Sequence, residues 1–96
     1  MPRYAAKIDA NQPDLVRQIR GLGASVLHTH TLGCGAQDIV VGFRGINYLF
    51  EIKDPNKPQS ARKLTPDEEK FHMSWRGSIY IIETIDDVVN IFNSKK

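Results

Sequence analysis

Two apolar runs, Asp38 to Phe43 and Ile46 to Lys53, are separated only by Arg44 and Gly45. Each is rich in β-branched or aromatic residues, and so short a break predicts an antiparallel hairpin. That hairpin fixes which side chains can meet. Alternation along a strand places residues i and i+2 on one face. Tyr48, Phe50 and Ile52 therefore share one face of the second strand, while Leu49, Glu51 and Lys53 share the other. In a hairpin the start of one strand lies beside the end of the next. Asp38 is thus brought close to Glu51 and Lys53, and three charged groups converge at one edge of an otherwise apolar sheet.

The flanking segments complete an α/β pattern. A first helix opens near Asn11, with Pro13 in its first turn and Leu15, Val16, Ile19 and Leu22 at helical spacing. Gly21 and Gly23 stop it. Ala24 to Thr29 reads as a strand, followed by a glycine-punctuated turn from Leu32 to Gln37. After the hairpin, Pro55 and Pro58 keep Asp54 to Lys63 out of regular pairing. Thr65-Pro66-Asp67-Glu68 is a helix start with the residues of a capping box, and that helix runs to about Trp75. Ser78 to Glu83 is a strand. A last helix begins after Thr84 and buries Ile85, Val88, Val89 and Phe92. The predicted order is helix, three strands, helix, strand, helix. A fourth strand reached through a helix pairs parallel to its neighbour, giving a mixed sheet flanked by helices.

Ninety-six residues suit one domain spanning 1–96, because neither half would hold a sufficient core. No apolar run approaches the roughly 18 residues of a membrane span. The N-terminus, Met1 to Lys7, lacks the apolar stretch of a secretory signal. Cys34 is the single cysteine, which excludes an internal disulfide and makes a reducing cytoplasm the expected compartment. The net charge of +2 permits nucleic-acid binding without arguing for it.

Phosphodiester hydrolysis is the chemistry that uses two carboxylates and a lysine at one sheet edge. A hard cation such as Mg²⁺ or Mn²⁺ wants oxygen ligands, which Asp38, Glu51 and the main-chain carbonyl of Ile52 would supply. Such an ion stabilises charge on the scissile phosphate and lowers the pKa of the attacking water. Lys53 would hold or help deprotonate that water, or neutralise the phosphate. Lys57, Arg62 and Lys63, in or beside the following loop, would meet the DNA backbone and position it without reading sequence. Lys70 and Arg76 extend this basic surface.

Asp38 followed across a hairpin by Glu51-Ile52-Lys53 resembles the signature of the PD-(D/E)XK nuclease superfamily, with its restriction-endonuclease-like fold. The surrounding text is more similar still to small phage and bacterial proteins of the VRR-NUC group and to archaeal-type Holliday-junction resolvases. Gly33 to Gly42 resembles their glycine turn, Pro-Asp and apolar strand. Tyr48 to Asp54 resembles their Glu-X-Lys strand, and Ser60 to Glu68 the linker and helix start beyond it. The similarity runs from about Asn11 to Phe92. It implies a metal-dependent DNA endonuclease that prefers branched or otherwise structured DNA, and a homodimer whose two sites cut two strands. Two departures stand out. Gln37 occupies the place of the motif's proline. The first-helix glutamate that many relatives hold near the metal falls on Gln12, whose amide oxygen can ligate a metal or its water but brings no charge. Many relatives also carry a glutamine near Glu68.

Blander readings accompany these. A Glu-X-Lys in a strand is more often a solvated pair, and a charged loop is more often merely exposed. A nuclease fold kept for nucleic-acid binding or protein interaction, without useful catalysis, is the alternative function, and Gln12 is the residue that favours it. His28, His30, Cys34 and His72 lack a zinc-ligand spacing. Trp75, Phe71, Phe43 and Tyr80 read as core.

Overall fold

In a computed structural model of the chain, which describes residues 9–94, the hairpin forms where the sequence places it. The segment Met1 to Lys7, where a secretory signal would stand, lies outside the described residues. The elements are α1 (Gln12–Gly21), β1 (Ser25–His28), β2 (Ile39–Phe43), β3 (Ile46–Ile52), α2 (Pro66–Ser74), β4 (Ile79–Ile82) and α3 (Ile85–Ser94). The sheet order is β1-β2-β3-β4, with the first two pairings antiparallel and β3–β4 parallel. Phe43 lies opposite Ile46 and Ile39 opposite Phe50. Arg44 and Gly45 both adopt positive φ, 51° and 82°, the type I′ geometry whose twist matches a two-residue hairpin.

The face carrying Tyr48, Phe50 and Ile52 packs with Ile39, Val41 and Ile82 against Leu15, Val16 and Ile19 of α1 and Val88 and Phe92 of α3. Phe92 stacks on Phe43 with ring centroids 4.1 Å apart. Each of these buried side chains contributes roughly 1.5–3 kcal/mol by leaving water. This layer is what fixes the sheet's other face and the end where the carboxylates sit.

The structure differs from the sequence reading in detail. The strands are a residue or two shorter than predicted, because Asp38 and Lys53 lie just past the ladder, and short 3-10 turns occur at His30–Leu32 and Gln59–Arg62. Phe43 and Tyr80 pack against the core as expected. Trp75 does not: it is 43% exposed and stacks on a half-buried Phe71, 5.4 Å between centroids, on a helix that buries no residue. The apolar residues of α2 lack the one-sided spacing that would seat them in the core. Among the described residues, no helix is long and apolar enough to cross a membrane.

Candidate active site

Asp38 immediately precedes Ile39, the partner of Phe50, so it stands beside Glu51. Its carboxylate is fixed by the backbone: Oδ2 accepts a hydrogen bond from the Ile52 N–H at 2.7 Å. Its own N–H donates to the Phe50 carbonyl at 3.1 Å. Glu51 is 3% exposed, and its Oε1 has no hydrogen-bond partner among the described residues. The Lys53 ammonium lies 3.6 Å from Glu51 Oε2 and 3.0 Å from Glu68 Oε1. These side chains, with Asp9, Ile52 and Lys57, line one cleft of about 260 Å³.

The electrostatics follow from crowding charge into a partly desolvated place. Burial, the Asp38 charge and Glu68 push Glu51 up to about 9, against the pull of Lys53. Asp38 is also raised by burial, though its bond from Ile52 opposes this. Burial alone would raise Glu68, but the Thr65 N–H and the Lys53 ammonium outweigh it and hold the carboxylate below its usual range. Burial alone would lower Lys53; the Glu68, Glu51 and Asp9 carboxylates reverse that and hold it above its usual range. Lys53 therefore sits in the cleft as a cation.

Two lining residues escape the sequence reading. Glu68 forms the capping box that Thr65-Pro66-Asp67-Glu68 announces, accepting from the Thr65 N–H at 2.9 Å while Thr65 Oγ1 accepts from the Glu68 N–H. The same Oε1 also holds Lys53, so one cap residue anchors both a helix and a site lysine. Asp9 precedes α1, and its Oδ1 accepts from Lys57 Nζ at 2.7 Å. The capping motif is a signal for Glu68; no pattern around Asp9 distinguishes it.

Gly35 explains how α2 is held in place. Its φ is +78°, and a Cβ there would lie 2.1 Å from the Asp67 carbonyl oxygen. The Gly33-Cys34-Gly35 turn thus docks backbone to backbone on the first turn of α2, setting Glu68 over Lys53.

Other expected residues fall outside this cleft. Gln12 is 1% exposed and lines a separate cleft with His28 and His30. Of the three basic loop residues, only Lys57 borders the carboxylates. Arg62 is half-buried and bonded to Glu83 at 3.3 Å, and Lys63 is exposed. The rings of His28 and His30 meet edge-on with centroids 6.0 Å apart, while Cys34 is exposed in its turn. Among the described residues, no three His, Cys, Asp or Glu side chains are grouped to hold a metal ion by themselves.

No family model matches the sequence, and no curated protein matches it. Comparison with solved structures finds similarity to a VRR_NUC domain, with a TM-score of 0.63 and 22% sequence identity. The match covers 88% of this chain and 92% of the other. Over 88% of its length, the chain therefore adopts the fold of that VRR_NUC domain.

Proposed function

We propose that the protein is a Mg²⁺- or Mn²⁺-dependent DNA endonuclease whose site is built from Asp38, Glu51 and Lys53. The observation that carries this reading is Glu51. A buried carboxylate with an unpartnered oxygen beside a second carboxylate is costly as it stands, and a hard cation would relieve it. Mg²⁺ typically takes one or two carboxylates and keeps several waters, so Asp38 and Glu51 with the Ile52 carbonyl are a sufficient donor set. When bound, the cation supplies charge neutralisation at the scissile phosphate and a more acidic attacking water.

The chain's own residues do the rest. The Ile52 N–H fixes the direction of the Asp38 carboxylate. Glu51 releases its proton to become a ligand. Lys53, held by Glu68, offers its ammonium to the phosphate oxygens as charge builds there. Lys57 at the rim contacts the backbone of the bound strand, with Asp9 setting its position. Gln12 does not line the carboxylate cleft, so metal binding is assigned without it.

The same reading favours branched or structured DNA over a defined sequence, since no described element offers itself as a base-reading helix for a groove. A homodimer would place two such sites on two strands. The test is cleavage of labelled duplex, single-stranded, flap and four-way-junction DNA in Mg²⁺, Mn²⁺ or EDTA, with Glu51→Gln alongside. Metal-dependent cutting by the wild type alone is expected. Equal cutting by both proteins would refute the assignment. Binding without cutting would favour the alternative of a non-catalytic nucleic-acid module.

A further inference from the structure

Trp75 is the chain's single tryptophan and caps α2, its N–H donating to the Phe71 carbonyl at 3.0 Å. It is 43% exposed and nonetheless held in place. The Phe71 ring stacks on one face, with 5.4 Å between centroids and 11° between planes. Gly77 borders the nitrogen edge so closely that a Cβ there would lie 2.8 Å from Nε1. One face and one edge of the indole are thus fixed, and its exposed area falls to the opposite face. Because α2 buries no residue, an open tryptophan at its end contributes little to folding. A ring fixed in this way suits a binding partner, since it has little conformational freedom left to lose.

α2 carries that ring on the side of the carboxylate cleft. Residues i, i+3, i+4 and i+7 share one side of a helix, and here these are Glu68, Phe71, His72 and Trp75. The first three are half-buried, which marks the stripe as the inward side of α2. Glu68 Oε1 accepts from Lys53 at 3.0 Å, so the stripe begins at the cleft. At 1.5 Å per residue, Trp75 stands about 10 Å further along the helix. Stacked bases follow one another at about 3.4 Å, so that distance spans roughly three nucleotides. Charge changes sign along the same path. Asp67, Glu68 and Glu69 occupy the first turn, whereas the chain from Lys70 to Ile82 carries Lys70, His72 and Arg76 and no carboxylate. Lys70 and Arg76 are both exposed.

These neighbours select the occupant. A protein partner calls for a continuous apolar patch. Met73, the other open apolar side chain of α2, is two residues from Trp75 and projects from the far side of the helix. Cations stand near the ring instead, and they suit phosphates. A nucleic-acid strand brings flat bases and phosphates together, and base–aromatic stacking needs no particular sequence. We propose that Trp75 is a stacking platform for one unpaired base of a DNA strand, a few nucleotides from the phosphate at Asp38 and Glu51, with Arg76 and Lys70 on the adjoining backbone. A base within a duplex is already stacked on both faces, so the platform makes the enzyme favour DNA with unpaired nucleotides close to the cut. The placement relative to the cut rests on the nuclease reading, while stacking itself is tested by binding alone.

The test adds single-stranded oligothymidylate, or a strand of equal length built of abasic sugars, to the whole protein in EDTA. Because Trp75 is the single tryptophan, its fluorescence reports on this ring alone. Oligothymidylate should quench it, and the abasic strand, with the same phosphates, should not. By anisotropy of labelled strands, Trp75→Ala should weaken oligothymidylate binding about tenfold, to the level of the abasic strand, and Trp75→Phe should keep part of the affinity. Both variants should melt close to the wild type, since α2 buries no residue. Fluorescence that oligothymidylate leaves unchanged, or equal affinities for the two strands, would overturn the proposal. A wild-type dimer in sedimentation that Trp75→Ala makes monomeric would overturn it too, giving the ring to a second copy. Cleavage in Mg²⁺ is scored separately. Quenching without any cleavage would sink the nuclease reading alone, and cleavage without quenching would sink the platform alone.

Discussion

Replacing Glu51 with glutamine should stabilise the metal-free protein, and the sign follows from the site's electrostatics. The folded state holds the Glu51 proton up to about pH 9, against 4.5 for an unperturbed glutamate. Below pH 4.5 both folded and unfolded states are protonated, and the group makes no difference. As pH rises past that value the unfolded chain releases its proton while the folded chain keeps it. Stability therefore falls steadily until the folded carboxyl ionises, and stays low above it. One pKa unit is worth about 1.36 kcal/mol, so the loss between pH 4.5 and about 7 is about 3 kcal/mol. A glutamine cannot ionise and escapes it. At roughly 4–8 °C per kcal/mol for a domain of this size, Glu51→Gln should gain on the order of 10 °C in Tm at pH 7. The assay is urea or thermal denaturation of both proteins in EDTA at pH 5, 7 and 9, read as the difference between them so that other titrating groups cancel. That difference should widen with pH. Adding Mg²⁺ should stabilise the wild type more at pH 8 than at pH 6 and leave Glu51→Gln unmoved, because the ion needs the ionised carboxylate. A difference that is flat with pH, or a variant less stable at pH 9 than the wild type, would refute the reasoning.

Lys53→Ala should slow metal-supported cleavage by about a hundredfold or more while substrate binding changes far less, as measured by single-turnover kinetics. Glu68→Ala removes the anchor of Lys53 and half of the capping box; the helix loss should cost about 1 kcal/mol in urea denaturation, with a fall in cleavage rate that Glu68→Gln partly restores. Gly35→Ala forces a side chain onto the Asp67 carbonyl at positive φ, and denaturation should show a loss of about 2 kcal/mol or more together with slower cleavage. Lys57→Ala, at an exposed rim position, should weaken DNA binding and flatten its salt dependence without changing the chemical step.

The parts of this molecule that are legible in the sequence are those governed by local patterning. Alternation in the runs 38–43 and 46–53 yields the hairpin and its two faces, and from these the meeting of Asp38 with Glu51 and Lys53. The Thr65-Pro66-Asp67-Glu68 start is legible because a capping box is a four-residue event. What cannot be read depends on contacts between distant segments. Glu68 meets Lys53 across the loop from Asp54 to Lys63, and nothing local to either residue says that one oxygen serves both the cap and the lysine. Gly35 resembles an ordinary turn glycine because the constraint on it comes from Asp67. Asp9 borders the cleft where a position three residues later, Gln12, is expected, since the path of the chain into α1 decides which side chain faces the site. Trp75 departs from its expected place for a related reason: its aromatic character suits a core, but α2 presents no face to one.

The groups that local rules would reject cluster at one end of the sheet. Glu51 Oε1, the Gln12 amide and His30 Nδ1 are buried without partners, and all lie beside the start of β2 or the end of β3 or β1. At the opposite end, where Arg44 and Gly45 turn the hairpin, the same sheet is closed by favourable turn geometry and the stacked Phe43–Phe92 pair. The hairpin turn and the α1–α3 layer thus close one end of the sheet, leaving the other to hold polar groups that packing alone does not satisfy. Such unsatisfied positions are expected where a ligand completes the structure. In the nuclease reading, a metal ion held by Asp38 and Glu51 would relieve the buried, unpartnered Glu51 oxygen.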